Sequence, residues 1–182
     1  MKMPLDDTVG SHMRGNTSLV ERIGLYIPIY RGYKEKNLRR DEDRAIRQEV
    51  ARTLEGTKND LATIQRAAIK DLELMRDTER IRTKVDKYHI SVQKAVNGYS
   101  GWHASVKILE GELDDLVSWD AKLVDGTVLL RKEVADLVKK IDEGEYAIKG
   151  ILREIEKTAD RMIEDYNHRE TVMKGFMEGV KE

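Results

Sequence analysis

From Leu38 to Phe176 apolar residues return every three or four positions, the spacing that lays one face along an α-helix. Leu38, Ile46, Val50 and Leu54 begin the pattern; Leu61, Ile64, Ala68, Leu72, Met75, Val85, His89, Val92 and Val96 carry it on. Each such stripe is apolar on one side and must be buried against another helix. Prolines and aromatic strand formers are scarce: 2 prolines and 5% aromatics among 182 residues, with 37% charged side chains to cover the outer faces. The fold class read from this pattern is all-α.

Asn97-Gly98-Tyr99-Ser100-Gly101-Trp102 is the clearest turn, because Asn and Gly accept positive φ. The pattern resumes with Val106, Leu109, Leu113, Leu116, Val117 and Leu123, and then Val128, Leu130, Val134, Leu137, Val138 and Ile141. Gly126 and Gly144 are candidate breaks in this return arm. A final stripe runs from Ile148 through Ile151, Leu152, Ile155, Ala159, Met162, Ile163, Tyr166 and Val172 to Met173. One long helix is expected over 34–96, with Gly56 as a bend at most, because an interior Gly costs about 1 kcal/mol. At 1.5 Å per residue it would reach roughly 90 Å. Return helices are expected over 103–178. The architecture predicted is an elongated antiparallel helical hairpin that folds again into a three- or four-helix coiled-coil bundle.

Near the start, Ser18-Leu19-Val20-Glu21 fits a capping box, and Leu19, Ile23, Tyr26 and Ile27 follow at helical spacing until Pro28. Residues 18–27 thus read as a short amphipathic helix that must dock on something. Upstream, Gly10-Ser11-His12-Met13 reads as an expression-vector scar. Residues 1–15 are accordingly assigned to a leader or disordered tail, with Met13 as a natural start, and 16–182 to a single helical domain.

The strongest local feature is the block from Tyr30 to Arg40. Arg31, Lys34, Lys36, Arg39 and Arg40 stand against one acid, Glu35, giving a balance of +5 − 1 = +4, with Tyr26, Tyr30 and Tyr33 interleaved. An apolar helix followed by cations and aromatics is what an interfacial membrane segment needs. The plainer reading docks Ile23 and Ile27 on the bundle end, with Asp41, Glu42 and Asp43 neutralising the basic run. Leu19, Ile23, Tyr26, Ile27, Tyr30, Arg31, Tyr33, Lys34, Lys36, Arg39 and Arg40 are therefore the candidate partner- or membrane-binding residues.

Ile27-Pro28-Ile29-Tyr30-Arg31-Gly32-Tyr33 followed by Arg39-Arg40-Asp41 resembles the N-terminal signature of an uncharacterised prokaryotic helical family, Ile-Pro-Gly-Tyr-x-Gly-Tyr and then Arg-Arg-x-Ala-Asp. This chain departs from it at Ile29 and Glu42. The resemblance covers about 20 residues and implies a helical fold without an assigned activity. In layout alone, the chain is similar to phage-shock-protein-A-like membrane-associated proteins, which place an amphipathic helix before a long helical hairpin.

Chemistry-bearing motifs are few. There is no cysteine, hence no disulfide, no thiolate metal site and no thiol nucleophile. No Gly-x-Gly-x-x-Gly, His-Glu-x-x-His or Gly-x-Ser-x-Gly occurs. Asp86–His89 and Asp165–His168 project at i,i+3 as weak metal candidates, although carboxylate bundles use Glu-x-x-His with further Glu. The expectation is no metal and no cofactor. With 33 Lys+Arg against 34 Asp+Glu the net charge is −1, which argues against nucleic acid as a partner. No apolar run approaches the roughly 20 residues of a transmembrane helix, and no signal peptide is evident. The chain reads as a cytoplasmic, non-enzymatic structural or interaction module. Its expected partner is itself, as a homo-oligomer, or another helical protein, with an anionic membrane surface as the alternative.

Overall fold

The computed structural model describes residues 19–33, 39–98, 110–144 and 148–178, and all the regular structure among them is helical. A short helix α1 covers 19–24. Four long helices follow: α2 (Arg39–Ala67), α3 (Leu72–Gly98), α4 (Glu110–Asp142) and α5 (Lys149–Glu178). The longest has 33 residues, about 50 Å.

The single helix expected over 34–96 is two helices. A 3-10 turn at Ala68–Lys70 ends α2, and Asp71 leaves the helical region with φ −119° and ψ 94°. Its carboxylate then accepts hydrogen bonds from the amides of Glu73 (3.1 Å) and Leu74 (3.0 Å), capping α3. The apolar spacing runs unbroken through this reversal, but Ile69 and Leu72 there face solvent. Gly56 lies inside α2 and Gly126 inside α4; in the return arm the break falls at Gly144, whose φ of +81° suits glycine. Of the Asn97–Trp102 turn, α3 includes Asn97 and Gly98, and the remainder lies outside the described residues, as do residues 1–18 with the proposed leader.

α2 packs against α3 and α4, and α5 packs against the same two, so α2 and α5 face each other across the bundle diagonal. α3 and α5 run parallel: Glu73–Lys149, Arg80–Glu156 and Lys84–Asp160 are pairs 76 residues apart in sequence. Two antiparallel hairpins, α2–α3 and α4–α5, therefore lie side by side. The reversal at 68–71, the end of α4 and the start of α5 share one end, the apex. The start of α2, the end of α3, the start of α4 and the end of α5 meet at the other, the base.

Each long helix buries a stripe whose spacing alternates between three and four residues. In α5 it is Leu152, Ile155, Ala159, Met162, Tyr166, Arg169 and Met173, with Ile148 just before the helix. In α2 it is Asp43, Arg47, Val50, Leu54, Thr57, Leu61 and Ile64, continued by Ala68 in the 3-10 turn. α4 contributes Leu113, Leu116, Asp120, Leu123, Thr127, Leu130, Val134 and Leu137. The buried threonines satisfy themselves by donating to the carbonyl four residues back, Thr57 to Thr53 at 3.0 Å and Thr127 to Leu123 at 2.6 Å. The charged members Asp43, Arg47, Asp120 and Arg169 all fall at the base.

Candidate functional site

The N-terminal segment packs along the α2–α4 side of the bundle, with Arg22 beside Asp125 and Tyr26 between Thr53 and Val128, and reaches the base at Tyr33, which meets Glu42. α1 ends in successive turns, Ile27 N–H to Ile23 O at 2.9 Å and Tyr30 N–H to Ile27 O at 3.0 Å. Pro28 occupies the second position of the latter turn, where its fixed φ fits. Buried positions then recur as Ile23, Ile27, Tyr30 and Tyr33. Arg22 pairs with Asp125 of α4 at 2.9 Å on the outside. Gly32 and Tyr33 both take left-handed backbone, φ 76° and 60°. A Cβ on Gly32 would stand 2.7 Å from a Val20 methyl, so the close pass of α1 over this loop requires glycine. Tyr33 accepts the strained conformation because both its ends are held. Its N–H and that of Arg31 (2.8 Å) donate to the two oxygens of the Glu42 carboxylate. Its ring is wholly buried against Tyr30, edge to face at 5.7 Å.

Beneath the loop lies a buried ionic network. Arg169, 0% exposed, donates from Nε to Asp120 at 2.5 Å and from Nη2 to Asp43 at 2.8 Å and to the Tyr33 hydroxyl at 3.0 Å. Arg47 donates from Nε to Asp43 (3.0 Å), from Nη1 to the Tyr166 hydroxyl (2.7 Å) and from Nη2 to Glu170 (2.6 Å). Tyr30 closes the set by donating its hydroxyl to Asp120 at 2.8 Å. Residues of α2, α4, α5 and the loop thus share one set of bonds.

Burial pushes the Asp120 carboxyl above its ordinary value, opposed by Arg169 and the Tyr33 and Tyr30 hydroxyls. Asp43 is buried too, yet Arg169 and Arg47 hold it below the usual carboxylate range. Against the cost of burial, Asp120, Tyr33 and Asp43 keep Arg169 firmly cationic. Burial raises the Tyr30 and Tyr33 hydroxyls, so both stay neutral donors. Tyr88 of α3 stands edge to face with Tyr166 at 5.1 Å, and its buried hydroxyl has no hydrogen-bond partner among the described residues.

The structure divides the expected binding residues. Ile23, Ile27, Tyr30 and Tyr33 point inward, and Leu19 is half-buried against the core. Tyr26 and Arg31 are exposed. Lys34 and Lys36 lie outside the described residues, as do the side chains of Arg39 and Arg40. The large apolar side chains that do face outward from this loop are Leu25, 80% exposed, and Ile29, 65% exposed. Apolar periodicity marks neither residue, because each lies off the helical stripe.

The Asp–His pairs are engaged separately. Asp86 binds Lys58 at 2.6 Å, and Nδ1 of His89 lies 3.5 Å from the same ammonium and 3.6 Å from Glu55. Burial and Lys58 lower the His89 pKa. His168 stacks on Trp119 with centroids 5.3 Å apart, and its Nε2 lies 3.8 Å from Glu164. Among the described residues no three His, Asp or Glu side chains gather as a metal site would need. No described helix is long and apolar enough to cross a membrane. Compared with protein-family models, curated proteins and solved structures, the chain has no match.

Proposed function

We propose that the chain is a non-enzymatic helical interaction module that self-associates through the loop at 25–29. The observation that carries this reading is the contrast between the loop's two faces. Its underside is clamped to the bundle by Ile23, Ile27, Tyr30 and Tyr33, while Leu25 and Ile29 are held out in water. An ordered loop loses little further freedom on docking, so apolar area displayed on it is well used in binding. A second copy offers the same surface, and two-fold pairing of identical patches is the commonest route to a dimer. Below the loop, Arg169 and Asp120 are wholly buried, which favours a structural role for these charges over contact with a substrate.

A second reading has one observation of its own. Leu25 and Ile29 precede Arg31, Lys34, Lys36, Arg39 and Arg40 in sequence, so the outward apolar pair is followed by cations suited to an anionic lipid surface.

Scattering-coupled chromatography tests the first reading. The wild type is expected to be a concentration-dependent dimer, and Leu25→Asp with Ile29→Asp to be a monomer with an unchanged helical melt. A wild type that stays monomeric at every concentration contradicts self-association. Flotation with anionic and neutral vesicles then decides the second reading: recruitment to anionic vesicles alone, lost in the same double variant, supports it, and no recruitment retires it.

A further inference from the structure

Away from the base, a groove of about 470 Å³ runs between α2 and α4. Pockets of roughly 300–1,000 Å³ are the size that holds small organic ligands. The Tyr26 ring stands at its edge, with Val128 and Ala135 along the α4 wall and Thr53 on α2. It shares only Tyr26 with the displayed loop.

Two features give the groove a chemical preference. The first is charge. Glu49 is its one acid, and Arg52 already holds that carboxylate through two bonds, at 2.6 and 3.0 Å. Arg131 and Lys132 are the remaining cations of the lining, and among the described residues neither has an ion-pair or hydrogen-bond partner. The second is Gly56. A Cβ there would fall 1.7 Å from Nη1 and 2.5 Å from Cζ of Arg131, so the guanidinium lies in the notch left by the missing side chain. Glycine inside a helix is unfavourable relative to alanine. What it permits here is an arginine laid across a neighbouring helix with its fork unclaimed by any carboxylate among the described residues.

We infer that the groove binds a small amphipathic organic acid, its carboxylate taken by Arg131 and its apolar body lying along Tyr26, Val128 and Ala135. The planar guanidinium matches a carboxylate through two parallel N–H···O bonds, which a neutral or cationic head group does not reproduce. Lys132 adds positive charge, and the Glu49 carboxylate across the groove favours a monoanionic head over a dianionic one.

Octanoate is a suitable probe, with octanol and octylammonium as neutral and cationic controls of the same chain length. Amide resonances of the full chain, notably those of Thr53, Gly56, Val128 and Arg131, are followed during titration below micelle-forming concentrations. Octanoate is expected to saturate, and both controls to bind at least about tenfold more weakly, the scale of one charge-assisted hydrogen bond. Arg131→Gln should remove that discrimination. Gly56→Ala is the sharper variant. It keeps every charge and improves helix propensity, so the melting temperature should hold or rise, while the displaced guanidinium costs octanoate affinity. Equal binding of octanol and octanoate overturns the inference, as does octanoate binding untouched by Arg131→Gln. Loss of octanoate binding in a fully folded Gly56→Ala protein supports it most directly.

Discussion

At the base, Asp43, Arg47, Asp120 and Arg169 sit in the buried stripes and bond to one another. Toward the apex the same stripes carry Leu61, Ile64, Leu137 and Leu152, and the charges stand outside as Glu73–Lys149, Arg80–Glu156 and Lys84–Asp160. The chemistry of the pairs is alike, but their surroundings are not. An exposed pair is worth about 0–1 kcal/mol, whereas removing one member of a buried pair costs about 3–5 kcal/mol. The functions differ as well. An apolar stripe with an average spacing of 3.5 residues packs nearly as well after a slip of seven, and a buried ionic set does not. The apolar half supplies adhesion; the charged half fixes which residues face each other and fastens Tyr30 and Tyr33, at the end of the N-terminal segment, to the bundle.

The largest effect is expected from Asp120→Ala. It leaves Nε of Arg169 and the Tyr30 hydroxyl unpaired in the interior and should cost about 3–5 kcal/mol in urea unfolding. The joint change Asp120→Leu with Arg169→Met removes charges from both sides and should cost clearly less than the sum of its two single changes. An additive cycle would mean that the two residues do not act as a pair.

Next in size is the division between the loop's faces. Ile23→Asp places a carboxylate in the core and should lower stability by at least about 2 kcal/mol, or roughly 4–8 °C in Tm. Leu25→Asp, two residues on, should stay within about 0.5 kcal/mol of wild type.

A smaller effect separates the two kinds of ion pair by pH. Arg80 and Lys84 hold the Glu156 carboxyl at about 2, below its ordinary 4.5. A depressed carboxylate stabilises the fold above the unfolded value, and that contribution is lost as pH falls through the folded one. Glu156→Gln should therefore flatten the stability profile between about pH 4.5 and 2, while costing under about 1 kcal/mol at neutral pH. The smallest effect belongs to His89, lowered by burial and by Lys58 from 6.5. Its depressed value means that stability is full above 6.5 and declines as the pH falls below it; His89→Gln should reduce that slope in the same unfolding series.

Helix content and bundle packing were legible because 3–4 spacing marks a buried face whatever the partner. The reversal at Asp71 was not. Ala68, Leu72 and Met75 keep the spacing across it, and a capping aspartate looks like any surface acid in a chain that is 37% charged. The base network was hidden by residue type rather than position. Arg169 falls between Met162, Tyr166 and Met173 at the stripe's own spacing, and Arg47 stands three residues before Val50 in the same way. The signal was present, namely a charge where the pattern calls for an apolar side chain. Recognising it requires both ends of the pair, and Asp120 and Arg169 stand 49 residues apart on different helices. In the block from Tyr30 to Arg40 the composition is what stands out in the sequence, whereas Tyr30 and Tyr33 are hydrogen-bonding and packing groups of the interior. Leu25 and Ile29 carried no periodic signal because turns, not a helix face, set their direction.

The claim that the ionic network fastens the end of the N-terminal segment to the bundle is tested most directly by hydrogen exchange at two backbone amides, those of Arg31 and Tyr33, which donate to Glu42. In the wild type both should be protected to a degree comparable with the core helices. In Asp120→Ala their protection should collapse, while amides around Leu61 and Leu137 retain most of theirs. Exchange of the Arg31 and Tyr33 amides at the rate of an unstructured peptide in the wild type, or protection there that is indifferent to Asp120, would contradict the account.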